Sequence, residues 1–224
     1  MYDLAIIGAG PAGYTAAKRA AELDAQVCII EKEQLGGICL NKGCIPVKFM
    51  VNTASLLSSI KKSGQFGIDT ESYRLNITKM LERREFIIDK HRRSIERLLN
   101  RSKAKIIRGE AKLKDPNTVN VSGESIKAKY IIIATGSIPV ETDKLKFDHS
   151  NIISSADILN LKEVPSSLII VGAGYIGCEF ACIYNQFGCD VTIIEIEPQI
   201  HPKQDKKIAR RLMQSMKKRG IKII

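Results

Sequence analysis

The sequence predicts an α/β fold built from two copies of one strand–turn–helix–strand unit, with a small antiparallel β-meander in the first copy. An internal duplication is the main observation: residues 4–13 (LAIIGAGPAG) recur as residues 168–177 (LIIVGAGYIG), at an offset of 164 residues. The register then continues without a gap as far as Glu31 and Glu195. Each copy opens on an uninterrupted apolar run, which is typical of a parallel strand buried on both faces.

The first copy continues well beyond its repeat. Helical periodicity predicts a helix after each glycine-rich turn and two more helices between the copies. Short β-rich runs separated by Asp-Pro-Asn and Ser-Gly-Glu predict the meander, followed by a further buried strand. In chain order we expect strands at 4–7 and 27–30, helices at 12–23, 47–59 and 76–100, meander strands at 106–107, 111–113, 118–121 and from 126, and the last strand at 130–134. This gives a first domain over residues 1–143.

The second domain, over residues 144–224, is expected to be incomplete. Its elements are a strand at 168–171, a helix at 176–187, a strand at 191–194, an amphipathic helix near 206–219 and a new apolar strand at the end. A complete unit of this kind needs further strands, so the sequence is expected to be a truncated form.

The formal net charge of +11 is concentrated near the end of the chain. Residues 201–224 contain nine Lys and Arg but one acidic residue. Most of these cations fall in the last helical pattern, opposite an apolar stripe of Ile208, Leu212 and Met216. A solvated helix face explains them better than nucleic-acid binding, because no recognised nucleic-acid module accompanies them.

The remaining composition favours a cytoplasmic protein that binds no membrane and no metal. No secretory signal opens the chain and no apolar run approaches the roughly 20 residues of a membrane span. Four of the six cysteines lie in apolar strand or helix patterns typical of buried thiols: Cys28, Cys178, Cys182 and Cys189. The three histidines are scattered without metal-ligand spacing.

The glycine-rich turns predict two Rossmann-like dinucleotide sites. Each G-x-G-x-x-G follows a strand, opens a helix and precedes an acid 23 residues after the first glycine. That context places a pyrophosphate at the helix N-terminus and a ribose hydroxyl at the acid. Glu195 favours NAD over NADP, because a carboxylate repels a 2′-phosphate and no arginine follows closely.

Cys39 and Cys44 are the candidate reactive pair. Alone, a C-x-x-x-x-C pair is compatible with a partial metal site, a structural bridge, coincidence or a redox disulfide. Most structural disulfides are reduced in the cytoplasm, so a disulfide there is more often catalytic. Pro46 suits a first helical position, so we expect a helix from about Val47 with Cys44 near its N-terminus, which stabilises a thiolate.

The segment Gly36-Gly37-Ile38-Cys39-Leu40-Asn41-Lys42-Gly43-Cys44-Ile45-Pro46-Val47-Lys48 closely resembles the redox motif of the class I pyridine nucleotide–disulfide oxidoreductases. The order of fingerprint, cysteine pair, meander, Ala134-Thr135-Gly136 and second fingerprint extends that resemblance over the whole chain. The resemblance implies that Cys44 faces FAD and Cys39 attacks the substrate. It also implies that Lys48 lies near the flavin and pairs with Glu179. The alternatives are that Lys48 is a solvated helix lysine and that Glu179 is an ordinary helix acid.

The same resemblance implies two sets of cofactor-binding residues. For FAD they are Gly8, Gly10, Pro11, Ala12, Gly13, Glu31, Lys32, Gly36, Gly37, Cys39, Lys48, Ala111, Ala134, Thr135 and Gly136. For NAD they are Gly172, Ala173, Gly174, Tyr175, Ile176, Gly177 and Glu195.

The Leu-Asn and Ile-Pro variants of the motif are most similar to the branch of the family that oxidises dihydrolipoyl groups. The implied partner is a lipoyl-bearing acyltransferase of a 2-oxo acid dehydrogenase or glycine cleavage complex, and the implied full-length protein is a homodimer. Ile38 and Val47 depart from the family's threonine and serine. The C-terminal FAD segment and the dimer interface domain, which supplies the acid–base pair, have no counterpart here. A glutathione-, mycothiol- or mercuric-type reductase and a fragment that binds cofactors without turnover are the alternatives.

Overall fold

A computed structural model describes all residues 1–224 and confirms the α/β class. The chain divides into two compact units: unit 1 comprises residues 1–46 and 83–156, and unit 2 comprises residues 47–82 and 157–224. The strands are β1 (Tyr2–Ile7), β2 (Val27–Glu31), β3 (Lys105–Arg108), β4 (Ala111–Asp115), β5 (Thr118–Val121), β6 (Glu124–Ile133), β7 (Ser167–Val171), β8 (Asp190–Ile194) and β9 (Lys222–Ile223). The α-helices are α1 (Pro11–Glu22), α2 (Gly37–Lys42), α3 (Cys44–Lys62), α4 (Ile77–Arg101), α5 (Tyr175–Phe187) and α6 (Lys206–Lys218), with short 3₁₀ turns at Ser63–Phe66 and Ile158–Asn160.

Unit 1 contains a six-stranded sheet in the order β3-β2-β1-β6-β5-β4. The strands β3, β2, β1 and β6 are parallel, whereas β6, β5 and β4 form the antiparallel meander. One strand, β6, therefore belongs to both parts. Its first residues pair with β5, and residues from Ala128 onward pair with β1.

Two strand predictions in unit 1 are wrong. The run at 106–107 was expected in the meander, but β3 pairs in parallel with β2 at the edge of the sheet. The separate buried strand at 130–134 is the second half of β6, where Tyr130 is 72% exposed and Ile133 is 63% exposed. Length and apolarity alone do not distinguish a strand with one covered face from one with two.

The core of unit 1 has two layers, one on each face of the parallel strands. On one face, Ala5 and Ile7 of β1 pack with Val119 and Val121 of the meander. On the other, Ile6 packs with Ala17 of α1 and with Leu99 and neighbouring apolar residues of α4. Helix α4 thus turns Ile95, Leu98 and Leu99 towards this core. Because both faces are covered, β1 is apolar from Leu4 to Ile7.

Unit 2 contains a three-stranded parallel sheet in the order β7-β8-β9. Both crossovers advance in the same direction, and right-handed connections put α5 and α6 on the same face. Side chains on the opposite face of β7 are exposed, with Ile169 at 66% and Val171 at 63%. The expectation that this strand is buried on both faces is therefore wrong within this chain.

Helix α6 keeps its predicted amphipathic character, but its apolar stripe is rotated. Ala209 and Met216 are buried and Leu212 is half-buried, whereas Ile208 is 63% exposed. Every Lys and Arg of the helix is exposed. No helix combines the length and apolarity that crossing a bilayer requires.

Candidate redox and dinucleotide-binding site

The first glycine-rich turn joins β1 to α1 and leaves no room for side chains at two positions. Gly8 has a φ of +102°, and a Cβ there would lie 2.3 Å from the carbonyl oxygen of Ala134. A Cβ on Gly13 would lie 1.8 Å from the carbonyl oxygen of Gly8. The backbone N–H of Ala134 donates to Ile7 at 2.8 Å, which fixes the end of β6 beside the turn.

The N-termini of α1 and α5 have no side-chain acceptor at the cap. Gly10 and Gly174 are the cap residues, and neither helix has an acid in its first turn. By contrast, α6 is capped by Asp205, whose carboxylate accepts from the N–H groups of Lys207 and Ile208. The first-turn N–H groups of α1 and α5 therefore fit an anionic ligand such as a pyrophosphate.

The acid that ends β2 hydrogen-bonds to its own glycine-rich turn. The Glu31 carboxylate accepts from the backbone N–H of Ala9 at 2.7 Å and from that of Glu33 at 2.8 Å. Glu31 is 9% exposed and Ala9 is fully buried. Each carboxylate oxygen retains acceptor capacity for a ribose hydroxyl.

Glu195 repeats this arrangement in unit 2. Its carboxylate accepts from the N–H groups of Ala173 at 2.6 Å and Glu197 at 3.0 Å. The hydrogen bonds from Glu197 and Ala173 hold the pKa of Glu195 below its ordinary value. Glu195 is therefore ionised at neutral pH. This structural role of the two acids was not foreseen from the sequence, although their matched spacing was a usable signal.

The other expected FAD-binding residues of unit 1 surround the same turn or lie further out on the sheet. Pro11, Ala12, Lys32, Thr135 and Gly136 are exposed. The partly buried Ala111 begins β4 and packs against the core cluster of the meander and β1. In unit 2, Tyr175 and Ile176 at the start of α5 are exposed.

The redox motif lies on two consecutive helices rather than on a loop before one helix. Cys39 lies in α2, and Cys44 is the first residue of α3. The expected start near Val47 is thus three residues late, because Pro46 occupies the third position of the first turn, where its missing N–H costs no hydrogen bond. The backbone N–H of Gly36 donates to Ala9 at 2.8 Å, which joins this segment to the glycine-rich turn.

Cys39 and Cys44 are neighbouring free thiols in this structure. Burial, together with a hydrogen bond and electrostatic interaction with Cys44, raises the pKa of Cys39 to about 11. Cys44 is exposed, and Cys39 is half-buried. The side chains are therefore close enough to interact, with Cys39 as the more protected thiol.

Lys48 and Glu179 form a salt bridge within unit 2. Lys48 lies in α3, one turn beyond Cys44, and Glu179 lies in α5. The side chain of Lys48 is 65% exposed and that of Glu179 is 36% exposed. Glu179 is therefore half-buried, although its neighbours in sequence, Cys178 and Phe180, are buried.

No role was predicted for Asn41, which lies between the two cysteines in sequence. Its side chain donates to backbone carbonyls around the start of α2 and accepts from Arg92 of α4 at 2.6 Å. Asn41 was within the quoted motif, but no signal singled out Arg92 among the charged residues of α4.

Both glycine-rich turns have the geometry that binding a dinucleotide requires. The N-termini of α1 and α5 lack side-chain acceptors, and the second glycine of each turn leaves space for a ligand to approach the backbone. A Cβ on Gly10 would meet nothing closer than 3.8 Å, and one on Gly174 nothing within 4 Å. A backbone that is both donor-rich and approachable is what a pyrophosphate requires.

The family model for pyridine nucleotide-disulphide oxidoreductases matches residues 2–224. The chain therefore belongs to that family of oxidoreductases, and its fold is that of their Rossmann-like FAD-binding domain. It is 38% identical over 228 residues to the dihydrolipoyl dehydrogenase of Acholeplasma laidlawii, covering 100% of this chain and 68% of the relative. It is 40% identical over 223 residues to that of Geobacillus stearothermophilus, covering 98% of this chain and 47% of the relative.

Among solved structures, the chain is similar to the HOCl-induced flavoprotein disulfide reductase RclA from Escherichia coli. The TM-score is 0.84 at 29% sequence identity, covering 100% of this chain and 48% of the RclA chain. The chain thus spans about half the length of this neighbour and of the Geobacillus relative.

Proposed function

We propose that the protein is a dihydrolipoyl dehydrogenase that oxidises dihydrolipoyl groups with NAD⁺ through a Cys39–Cys44 disulfide and FAD. The observation that supports this most strongly is the adjacency of the two thiols, on a segment hydrogen-bonded to the first glycine-rich turn. The similarity to relatives named dihydrolipoyl dehydrogenase supports the substrate class.

In the proposed reaction, one thiolate of the dihydrolipoyl group attacks the Cys39 sulfur of the oxidised pair and releases Cys44 as a thiolate. The second lipoyl thiol then attacks the mixed disulfide, which releases Cys39 and closes the lipoyl ring. Two electrons have then passed from the substrate to the cysteine pair. When bound, FAD would supply the acceptor for these two electrons, and NAD⁺ would be the final oxidant.

Residues of the chain have distinct roles in this proposal. Cys44 is the first residue of α3 and lies at the positive N-terminal end of that helix. Lys48, held by Glu179, supplies a positive charge one turn later on the same helix. The ionised Glu195 supports NAD over NADP, since it repels a 2′-phosphate.

The proposed whole protein is a homodimer, with its lipoyl substrate on an acyltransferase of a 2-oxo acid dehydrogenase or glycine cleavage complex. The relatives' names support the lipoyl part of this proposal. The acid–base group for substrate deprotonation has no candidate in this chain.

The first experiment tests whether the pair is redox-active. The oxidised protein is treated with dihydrolipoamide, and newly exposed thiols are labelled and assigned by mass spectrometry. Label is expected on Cys39 and Cys44 together and not on Cys182, a half-buried helix thiol that serves as internal control. Equal labelling before and after reduction would exclude a disulfide relay.

The second experiment tests the substrate. With FAD bound, dihydrolipoamide is expected to reduce NAD⁺, and Cys39→Ser and Cys44→Ser should each abolish this while Cys182→Ser should not. A reducible pair without NAD⁺ reduction, in this chain alone or mixed with the second half of a relative, would indicate a cofactor-binding fragment.

A reductase for another disulfide substrate is the second candidate. The TM-score of 0.84 to RclA supports it, as does Ile38, which is 43% exposed beside the cysteine pair in place of the family's usual threonine. Faster NADPH-dependent reduction of glutathione disulfide than NAD⁺-dependent dihydrolipoamide oxidation would favour this candidate.

A further inference from the structure

The side-chain amide of Asn41 connects the first turn of α2 to the segment before it. Its nitrogen donates to the carbonyl oxygen of Gly37 at 2.8 Å and to that of Leu35 at 3.1 Å. Asn41 lies between Cys39 and Cys44 in sequence. Its side chain therefore ties down the short helix that contains Cys39.

Arg92 fixes the orientation of that amide. Its Nε donates to the Asn41 oxygen at 2.6 Å, and its guanidinium pairs with Glu85 at 2.8 Å. With the amide oxygen facing a guanidinium and the nitrogen facing carbonyls, a flipped amide would lose the bonds on both sides. The Arg92 side chain is 23% exposed, so this bond is partly shielded from water.

Helix α2 needs such support. It has six residues, follows Gly36 at a φ of +96° and is followed at once by Gly43. Helices this short are marginal in water without tertiary contacts. The position of the Cys39 sulfur therefore depends on the contacts that hold α2.

We propose that Arg92 is a positioning residue for the cysteine pair: through the Asn41 amide it holds α2 in place and keeps the Cys39 sulfur sheltered beside Cys44. This inference rests on the proposed function, in which the two cysteines form the redox pair. Arg92 itself acts through Asn41 and does not touch the sulfur atoms in this role.

The test compares Arg92→Met with Arg93→Met in the reduced protein. Methionine keeps much of the side-chain stem but removes the guanidinium. Arg93 is a matched control, because it lies on the same helix, is 72% exposed and pairs with Asp89 of its own helix. The measurement is the rate of iodoacetamide alkylation of Cys39 against pH, with each cysteine resolved by mass spectrometry.

Loss of the guanidinium is expected to loosen α2 and expose Cys39, whose pKa of about 11 arises first from burial. Each unit of fall in that pKa raises the thiolate fraction at pH 8 about tenfold. The lower nucleophilicity of the more acidic thiolate leaves roughly a threefold net gain per unit. Arg92→Met should therefore alkylate at least threefold faster at pH 8 with its midpoint shifted downward, and Arg93→Met should match the wild type.

Two further variants separate positioning from loss of folding. Arg92→Lys retains the charge but lacks the fork that reaches Asn41 and Glu85 together, so its profile should lie between those of the wild type and Arg92→Met. Asn41→Asp keeps an acceptor for Arg92 but loses the donors to the Gly37 and Leu35 carbonyls, so it should resemble Arg92→Met. If Arg92→Met does not fold, these two variants decide the question.

The positioning role would be overturned if the alkylation rate of Cys39 depended on pH in the same way in the wild type, in Arg92→Lys, and in either Arg92→Met or Asn41→Asp. Failure of the proposed function is distinguishable: the wild-type pair would then form no reducible disulfide, while the alkylation comparison would still report on Arg92.

Discussion

Replacing Glu31 by alanine removes the acceptor of two backbone N–H groups, that of Ala9 in the first glycine-rich turn and that of Glu33 just after β2. The consequences differ, because Ala9 is fully buried whereas Glu33 is exposed and its N–H has access to water. A buried donor left without a partner costs about 1–3 kcal/mol. We therefore expect Glu31→Ala to lower the free energy of local opening by about 2 kcal/mol, which corresponds to roughly 30-fold faster exchange of the Ala9 amide.

Two matched variants sharpen this expectation. Glu31→Gln retains one amide oxygen, which can stay with the Ala9 N–H, so its effect should be about 1 kcal/mol or less, or roughly fivefold. Glu195→Ala removes the equivalent acceptor from Ala173, but Glu195 is less buried than Glu31. Ala173 is as fully buried as Ala9, but the more exposed position of Glu195 lets water take the place of the lost carboxylate, so the effect should be smaller than at Glu31.

The assay is amide hydrogen exchange, followed by NMR at Ala9 and Ala173. The reasoning would be refuted by unchanged exchange at Ala9 in Glu31→Ala. It would also be refuted if Glu31→Gln were as damaging as Glu31→Ala, since the negative charge and not the acceptor would then hold the turn.

Three further outcomes are expected. Gly174→Ala should leave the melting temperature within about 2 °C of the wild type, because a Cβ there meets nothing within 4 Å. The same Cβ would obstruct the approach of a pyrophosphate to the backbone, so calorimetry should show NAD binding weakened at least tenfold. Equal affinity would contradict the proposed NAD site. In the reduced protein, the neutral Cys39 thiol should contribute its full stabilisation below about pH 9, and this contribution should be lost as the pH rises towards the raised pKa of about 11. Urea unfolding should then show that the free energy of unfolding falls with pH in the wild type relative to Cys39→Ser, and parallel pH dependences would contradict this. Lys48→Met should change the free energy of unfolding by less than about 1 kcal/mol, because its pairing with Glu179 is largely exposed, and a larger loss in urea unfolding would contradict that reasoning.

The duplication made most of the parallel framework predictable. It placed β1, α1 and β2 and their counterparts β7, α5 and β8 to within a few residues, because glycine turns and apolar runs are strong local signals. Local sequence signals do not determine which strands pair with each other. The run at 106–107 resembles its neighbours in the meander, but only the fold decides that β3 pairs with β2.

The residues of the candidate site could largely be predicted from the sequence, but their three-dimensional arrangement could not. Cys39 and Cys44 were found from the motif, but the break between α2 and α3 at Gly43 was not, because Pro46 suggested a later helix start. Arg92 could not be found, since its partner lies 51 residues away and one arginine of a charged helix looks like another.

The shared strand β6 has a consequence for the order in which unit 1 forms during synthesis. Its β5–β6 hairpin is local, whereas its pairing with β1 joins Tyr2 to Ala128 and Ile7 to Ile133. Contacts this distant in sequence form late, because closing a long loop costs entropy before any contact compensates for it. At about 5–20 residues per second, β1 waits roughly 6–25 s for its second neighbour. The β5–β6 hairpin is therefore expected to form first, and the pairing of β1 with β6 then completes the sheet.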